Sequence, residues 1–376
     1  MTGSERKIRV LIVDDSAFMR KVMQGIIAAD TAMQVVGEAG DGREAVVLAE
    51  SLRPDVISMD INMPHVDGIE ATEIIMSQNP RPIVIVSSES REGARGTLRA
   101  LELGAVDFVC KPSSAINLDM NTVRAELTRK LKMAAKVRVV RTATRPKSSQ
   151  ANALLETPRH AERSAARPAQ TMMPSSGQEY FPLVILAAST GGPAALMRMV
   201  PLLPSNFPGA VVLALHMPAN FTGQFTQQLA NVAAIHVEEA KAGKPLRSGT
   251  LYVCPGSHHL RISPAGNIEL DDSPRIGGYR PCADVTLETA AAWAGPMTIG
   301  VVLTGMGNDG SRGAVAVKAA GGYVIAQDEA TSMIFGMPHE SIQTGAVDEV
   351  LPVEAIPAAL EKRVLYLRGA ARVGAL

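Results

Sequence analysis

Short apolar runs recur along the first third of the chain, each followed by a stretch whose apolar residues return every three or four positions. The runs are IRVLIV from Ile8, MQVVGEA from Met33, DVISMD from Asp55, PIVIVSS from Pro82 and DFVCK from Asp107. Their length and β-branched content predict strands, and the longer period between them predicts helices. The first helix is expected over AFMRKVMQGIIAA, with Ser16 as its N-cap. A last helix puts Val123, Leu127 and Leu131 on one face. This alternation predicts α/β architecture, a doubly wound, flavodoxin-like parallel sheet.

The pattern lapses between residues 138 and 179, where the chain is rich in Ala, Arg, Ser and Pro and poor in large apolar residues. Such a stretch buries too little surface to offset chain entropy, which predicts a flexible linker with solvated arginines. Strand-like runs then resume as PLVILAAS, GAVVLALH, GTLYVCP, MTIGVVLTG and GGYVIAQ. Helical stretches PAALMRMVPLL, DVTLETAAAWA and SRGAVAVKAA lie among them. The expected organisation is a first domain over 1–137, a linker over 138–179 and a larger Rossmann-like three-layer α/β domain over 180–376.

Composition narrows the function classes. The 376 residues are 46% hydrophobic and 20% charged, as for a soluble protein of two domains. Lys+Arg and Asp+Glu both number 37, so no net charge draws the chain to nucleic acid or an anionic membrane. No apolar run approaches the ~20 residues of a membrane span, so no membrane insertion is expected. The start, MTGSERKIRVLIVDD, lacks the apolar stretch of a signal peptide. Cys110, Cys254 and Cys282 have no zinc-like spacing, which suits reduced thiols and a cytoplasmic location.

In the first domain Asp14 and Asp15 follow the first strand, Asp60 ends the third, Ser87 the fourth and Lys111 the fifth. The inferred sheet gathers them at one edge. Neighbouring carboxylates repel unless a cation sits among them, and oxygen ligands of this kind suit Mg²⁺. Lys111 adds a charge and Ser87 a donor for a phosphoryl group, and an Asp beside such a metal can accept one. Taken singly, the aspartates of DD and SMD read more readily as helix caps after strands; the whole set, in this order on five strands, does not. Over residues 7 to about 135 the pattern resembles the receiver domain of bacterial two-component response regulators. The resemblance implies that Asp60 is the phosphoacceptor and that Asp14, Asp15 and Asp60 hold Mg²⁺. It implies that Ser87 and Lys111 read the phosphoryl group and that Phe108 is a rotating aromatic switch. It further implies a cis Lys111–Pro112 bond and a histidine kinase as phosphodonor.

In the second domain the stretch VILAASTGGP sets Ser189 after an apolar run and before two glycines and Pro193. Ser189 is either a nucleophile on a tight turn or the cap of the next helix. The stretch departs from the G-x-S-x-G elbow by Ala187 at the first glycine position. His216 follows GAVVLAL, and Asp309 lies in the glycine-rich turn TGMGNDG. All three then stand at strand ends, as a nucleophile, a general base and the acid that orients it require. Gly305, Gly307 and Gly310 let backbone N–H groups converge on one point. The order Ser, His, Asp differs from the Ser, Asp, His of α/β-hydrolases.

The motifs ASTGG, HMP, VCPG, LTGMGNDG and AQDEATSMIFGMP, over about 181–352, are together similar to the chemotaxis protein-glutamate methylesterases, the CheB family. The resemblance implies hydrolysis of methyl esters on glutamates of chemoreceptor signalling helices, releasing methanol, and deamidation of receptor glutamines. It makes Ser189 the nucleophile, His216 the proton shuttle and Asp309 its orienting acid. Backbone N–H groups near Thr190 and Met306 are the implied oxyanion donors, with no cofactor for the esterase step. The family has glycine where this chain has Ala187. The receiver is expected to cover the strand-end face until Asp60 is phosphorylated. Two alternatives stay open: a catalytically silent phosphate sink or binding regulator, and an esterase serving a non-motility chemosensory array. Cys254 and Cys282 are read as apolar filling. His258 and His259 are candidates to line the cleft, and Arg280 to meet an acidic receptor surface. STGGP lacks the lysine of a P-loop, which rejects nucleotide binding.

Overall fold

The computed structural model describes residues 6–88, 90–111, 120–137, 139 and 181–372. The described residues on either side of 143–180 form one compact unit. The expected linker therefore lies outside the described residues except for Val139, which packs on the core of the N-terminal half. Pro112, and with it the expected cis bond, lies outside them too.

The N-terminal half alternates strand and helix throughout. Its elements are β1 (Ile8–Val13), α1 (Ala17–Ala28), β2 (Met33–Ala39), α2 (Gly42–Leu52), β3 (Val56–Asp60), α3 (Gly68–Gln78), β4 (Ile83–Ser87), α4 (Arg91–Glu102), β5 (Asp107–Cys110) and α5 (Met120–Ala134). Polar residues after the strands cap the helices: Ser16 accepts from Met19 N, Asp41 from Glu44 N, Asp67 from Glu70 N and Ser90 from Gly93 N. The five strands run in the order β2-β1-β3-β4-β5, all parallel. β3 and β4 are buried along their whole length, because helices cover both faces. Leu127 and Leu131 are buried as expected, with Val123 packed beside them.

The C-terminal half begins with β6 (Leu183–Ala188), α6 (Gly192–Met199), β7 (Ala210–Leu215), α7 (Ala219–Val232), β8 (His236–Glu239) and β9 (Thr250–Val253). A hairpin of β10 (His259–Ile262) and β11 (Ile268–Asp271) follows. Then come α8 (Ala283–Ala294), β12 (Thr298–Val302), α9 (Ser311–Ala319), β13 (Tyr323–Gln327), α10 (Met337–Gln343), β14 (Glu349–Leu351) and α11 (Ile356–Arg372). Seven parallel strands run β14-β13-β12-β6-β7-β9-β8. The sequence pattern did not single out β8, β10, β11 and β14. They are three or four residues long, and the edge strands carry polar residues, His236, Glu238 and Glu239 in β8 and Glu349 in β14, so no apolar run marks them.

β6 lies between β7 and β12, and chain order reverses at this point: later strands are laid down on both sides of it. The carboxyl ends of β6, β7 and β12 therefore border the crevice where open α/β sheets take ligands.

The two halves pack together. One hydrophobic cluster runs through both, joining Leu98, Leu101 and Phe108 to Met199, Phe221 and Phe225. Phe108 stacks on Phe221 with ring centroids 4.6 Å apart. Beside this contact α4, α6 and α7 leave a cavity of about 260 Å³ lined by Leu98, Leu101, Met197 and Phe225.

Candidate active site

The turn after β6 settles the local role of Ser189. Ser189 N donates to Thr304 O at 3.1 Å, and Ser189 O accepts from Gly192 N at 2.7 Å. The N-cap of α6 is Gly191, at φ 78°, with no side-chain cap. The Ser189 hydroxyl is thus not spent on the helix. A Cβ on Gly191 would lie 2.6 Å from Met333 Cβ, and one on Gly192 would lie 2.9 Å from Ala188 Cβ, so both glycines are sterically required. Ala187, the departure from the family motif, is fully buried among Ala214, Ala283, Val302 and Met337. Its methyl fits a pocket of small neighbours, and the strand keeps register through it.

His216 comes next to this turn through sheet register. Ala188 pairs with Leu215, and His216 N donates to Ala188 O at 3.1 Å, so Ser189 and His216 leave adjacent strands side by side. Asp309 reaches the same place from the loop after β12. His216 Nε2 and Asp309 Oδ2 are 2.7 Å apart, with both side chains nearly buried. His216 Nδ1 is buried without a hydrogen-bond partner among the described residues. Asp309 therefore engages Nε2 and leaves Nδ1 unpartnered among the described residues, the reverse of the ring orientation in the Ser-His-Asp template.

Asp309 is held by more than His216. Its Oδ2 accepts from Ala283 N at 2.7 Å, and Oδ1 accepts from Asp284 N at 2.9 Å and from Cys282 Sγ. Burial alone would raise its pKa. The hydrogen bond and charge of His216, with the two backbone N–H groups, outweigh burial and lower it to about 2. Asp284 in turn accepts from Gly310 N at 2.9 Å and Gly313 N at 2.7 Å, fixing the loop that carries Asp309. Burial, with the Asp309 charge adding to it, raises the Asp284 pKa. Burial likewise pushes the Cys282 thiol up to about 12 and raises Cys254, so neither sulfur is a ready thiolate. The N–H groups of Thr190 and Met306 make no backbone hydrogen bond among the described residues.

Two further sequence candidates lie elsewhere. His259 is fully buried, accepting from Cys282 N and contacting Pro274 O through Nε2. Arg280 turns back on its own loop, donating to the carbonyls of Asp272 and Ser273. In both cases the side chain is taken up by carbonyls of the 272–274 loop. Tyr279, which the sequence did not single out, stacks on the His216 ring at a centroid distance of 4.0 Å.

At the carboxyl edge of the N-terminal sheet, Asp14, Asp15 and Asp60 each bring a carboxylate oxygen within 4.8 Å of the others. Lys111 Nζ lies 2.8 Å from Asp14 Oδ2 and 2.9 Å from Asp60 Oδ2. Burial raises the Asp60 pKa, the Asp14 charge adds to this, and Lys111 opposes it. Burial disfavours charge on Lys111, but its hydrogen bonds to the two aspartates raise it overall. A compact set of hard oxygen donors, one of them made easier to protonate by burial, fits a small divalent cation. Ser87 is buried and donates to Gly93 O at 3.2 Å, away from Asp60.

Residues 184–360 match the CheB methylesterase family, and residues 10–148 match the response regulator receiver domain family. The protein-glutamate methylesterase/protein-glutamine glutaminase of Pyrococcus abyssi is 42% identical over 377 residues, covering 100% of this chain and 98% of its own. The chain belongs to the CheB methylesterase family. The Thermotoga maritima relative with the same description is 42% identical over 357 residues, covering 94% of this chain and 98% of its own. The crystal structure of the T. maritima CheB methylesterase catalytic domain covers 49% of this chain and 99% of its own, at 41% identity and a TM-score of 0.48.

The receiver reaches the methylesterase site directly. Thr190, next to Ser189, donates through Oγ1 to Oδ2 of Asp107 at the start of β5. The other Asp107 oxygen faces Lys130 Nζ at 3.1 Å and accepts from Phe108 N at 2.8 Å. Arg129 of α5 points at Met306 Sδ. Thus β5 and α5 of the receiver touch both residues flanking the expected oxyanion position.

Proposed function

We propose that this chain is a phosphorylation-activated protein-glutamate methylesterase and glutaminase of chemoreceptor signalling helices, working in the cytoplasm with a histidine kinase as phosphodonor. The observation that carries the reading is the buried His216–Asp309 pair, with Nδ1 free, one strand away from Ser189. Ser189 Oγ attacks the acyl carbon of the glutamate ester while His216 Nδ1 takes its proton. Asp309 stabilises the imidazolium through Nε2. The tetrahedral oxyanion faces the N–H groups of Thr190 and Met306. Collapse returns the proton from His216 to the leaving oxygen, and methanol departs from an acyl-Ser189 intermediate. Water, deprotonated by His216, then releases the glutamate and restores Ser189. An amide follows the same path with ammonia as leaving group.

Control lies in the receiver. Asp14, Asp15 and Asp60 would hold Mg²⁺, which when bound offsets the charge gathered around a phosphoryl group. Asp60 accepts the phosphoryl group, and Lys111 exchanges its aspartate contacts for a phosphoryl oxygen. The Ser87 hydroxyl turns from Gly93 O toward the same group, and Phe108 follows. Because Phe108 stacks on Phe221 and Asp107 holds Thr190, movement there loosens the receiver from the site. The cavity beside Phe225 suits an interface built to part, since permanent interfaces pack more closely.

The test is methanol release from methylated receptor membranes, with and without a small phosphodonor and Mg²⁺, beside Ser189→Ala. Release that rises with phosphodonor and vanishes in Ser189→Ala is expected. Release that survives in Ser189→Ala removes the nucleophile. Silence of every preparation that takes up phosphate at Asp60 favours the binding regulator.

A further inference from the structure

Within the active site, the imidazole of His216 is tethered at one atom. Nε2 meets Asp309, and Nδ1 has no hydrogen-bond partner among the described residues. A single hydrogen bond at one vertex fixes neither the tilt of a flat ring nor its swing about the Cβ–Cγ bond. Yet Nδ1 must present its lone pair to Ser189 within a narrow angle for proton transfer. Something must hold the ring plane.

Tyr279 lies over that plane. Its ring is 4.0 Å from the His216 ring, centroid to centroid, and within 10° of parallel to it. Tyr279 is itself rigidly placed. Ile276 N donates to Tyr279 O and Tyr279 N donates to Ile276 O, both at 3.0 Å, closing a two-residue turn. Gly277 at φ 60° and Gly278 at φ 89° supply the two left-handed positions of a type I′ turn. The Tyr279 hydroxyl reaches Met306 O at 3.5 Å. A Cβ on Gly307 would come within 3.0 Å of that hydroxyl, so the glycine leaves room for the ring. Arg280, donating to Asp272 and Ser273 carbonyls, ties down the next residue. Three residues after Tyr279, the segment begins to supply the contacts of Cys282, Ala283 and Asp284 to Asp309. One rigid stretch therefore supports the base from its face and the acid from its backbone.

We propose that Tyr279 is a positioning residue for the general base. Its ring, rather than its hydroxyl, holds the His216 imidazole in the plane that aims Nδ1 at Ser189. This rests on the esterase reading above, in which His216 takes the Ser189 proton. Removing the ring lets the imidazole tilt while its bond to Asp309 remains. The turnover step then suffers and substrate binding does not.

The experiment uses the full chain, phosphodonor-activated, as wild type, Tyr279→Phe and Tyr279→Leu, with thermal unfolding of each. Tyr279→Leu is expected to lower kcat for methanol release about tenfold, the scale of one stacked aromatic pair, with KM within about twofold. Tyr279→Phe is expected to keep wild-type kcat. A Phe variant as slow as the Leu variant overturns the assignment, since the hydroxyl would then matter. So does a Leu variant with wild-type kcat, or one whose loss lies in KM. A second readout is independent of turnover: the ¹⁵N resonances of the His216 ring in the same proteins. They should shift or broaden in Tyr279→Leu and stay in place in Tyr279→Phe. Unchanged ring resonances in a folded Tyr279→Leu overturn the inference even where the esterase reading itself fails for another reason.

Discussion

Asp107→Ala in the full-length, unphosphorylated protein should raise basal methanol release. The perturbed contact is the hydrogen bond from Thr190 Oγ1 to Asp107 Oδ2, which joins the receiver to the residue beside Ser189, the proposed nucleophile. A buried hydrogen bond to a charged group contributes about 1.5–3 kcal/mol. Part of this returns when both groups hydrate in the open state, leaving roughly 1–2 kcal/mol that favours closure. That shifts the open fraction about 5- to 30-fold. Asp107 also faces Lys130, but that pair lies within the receiver and is present open or closed. Lys130 also faces Glu126 at 2.9 Å and Phe108 O at 2.6 Å, contacts that do not involve Asp107. The assay is the initial rate of methanol release with and without phosphodonor. Basal rate should rise about 5- to 30-fold while the phosphodonor-stimulated ceiling stays put. An unchanged basal rate in a folded protein would refute the idea that this bond holds the receiver closed, and a fallen ceiling would show Asp107 acting on the chemistry instead.

Two further perturbations probe the site. Asp309→Asn should slow methanol release by roughly 10⁴-fold, the scale seen when a triad loses its orienting acid. The folded Asp309 carboxyl, at about 2, lies below its ordinary value, so its ionised form adds stability above about pH 4 that disappears as pH falls through about 2. The unfolding-temperature gap between wild type and Asp309→Asn should therefore narrow from about pH 5 toward pH 2, and a constant gap would contradict the depressed pKa. Gly191→Ala forces a side chain into the left-handed region and against Met333, at a cost of about 1–2 kcal/mol before the clash is relieved. Calorimetry should show a melting point about 3–6 °C lower, and the displaced Ser189 turn should lose at least ~10-fold in rate; a variant matching wild type in both would free the turn of its glycine requirement.

The strand-end positions of Ser189, His216 and Asp309 were legible because each follows an apolar run that only a buried strand explains. The five strands of the receiver were legible for the same reason. What lay beyond reach were contacts made across the fold. Tyr279 meets His216 from a segment 63 positions away in sequence, and Asp107 meets Thr190 at a separation of 83; no local period encodes either. The turn carrying Tyr279 was readable as Ile-Gly-Gly-Tyr, its target was not. Helix α7 left a usable trace in Phe221, Phe225 and Leu229, spaced four apart and all buried, though the polar residues between them mask it. His259 and Arg280 show the opposite failure. Polar side chains near a conspicuous motif suggest chemistry, but here carbonyls of residues 272–274 claim them.

The bond between Thr190 and Asp107 also makes the two halves accountable to each other in both directions. If a phosphoryl group on Asp60 releases the cleft, then a receptor helix occupying the cleft must, by thermodynamic reciprocity, favour the receiver conformation that holds the phosphoryl group. A receptor rich in methyl esters would thus prolong the signal that directs its own demethylation, and a receptor already stripped of them would let that signal lapse. Adaptation would then be metered by the substrate as well as by the kinase.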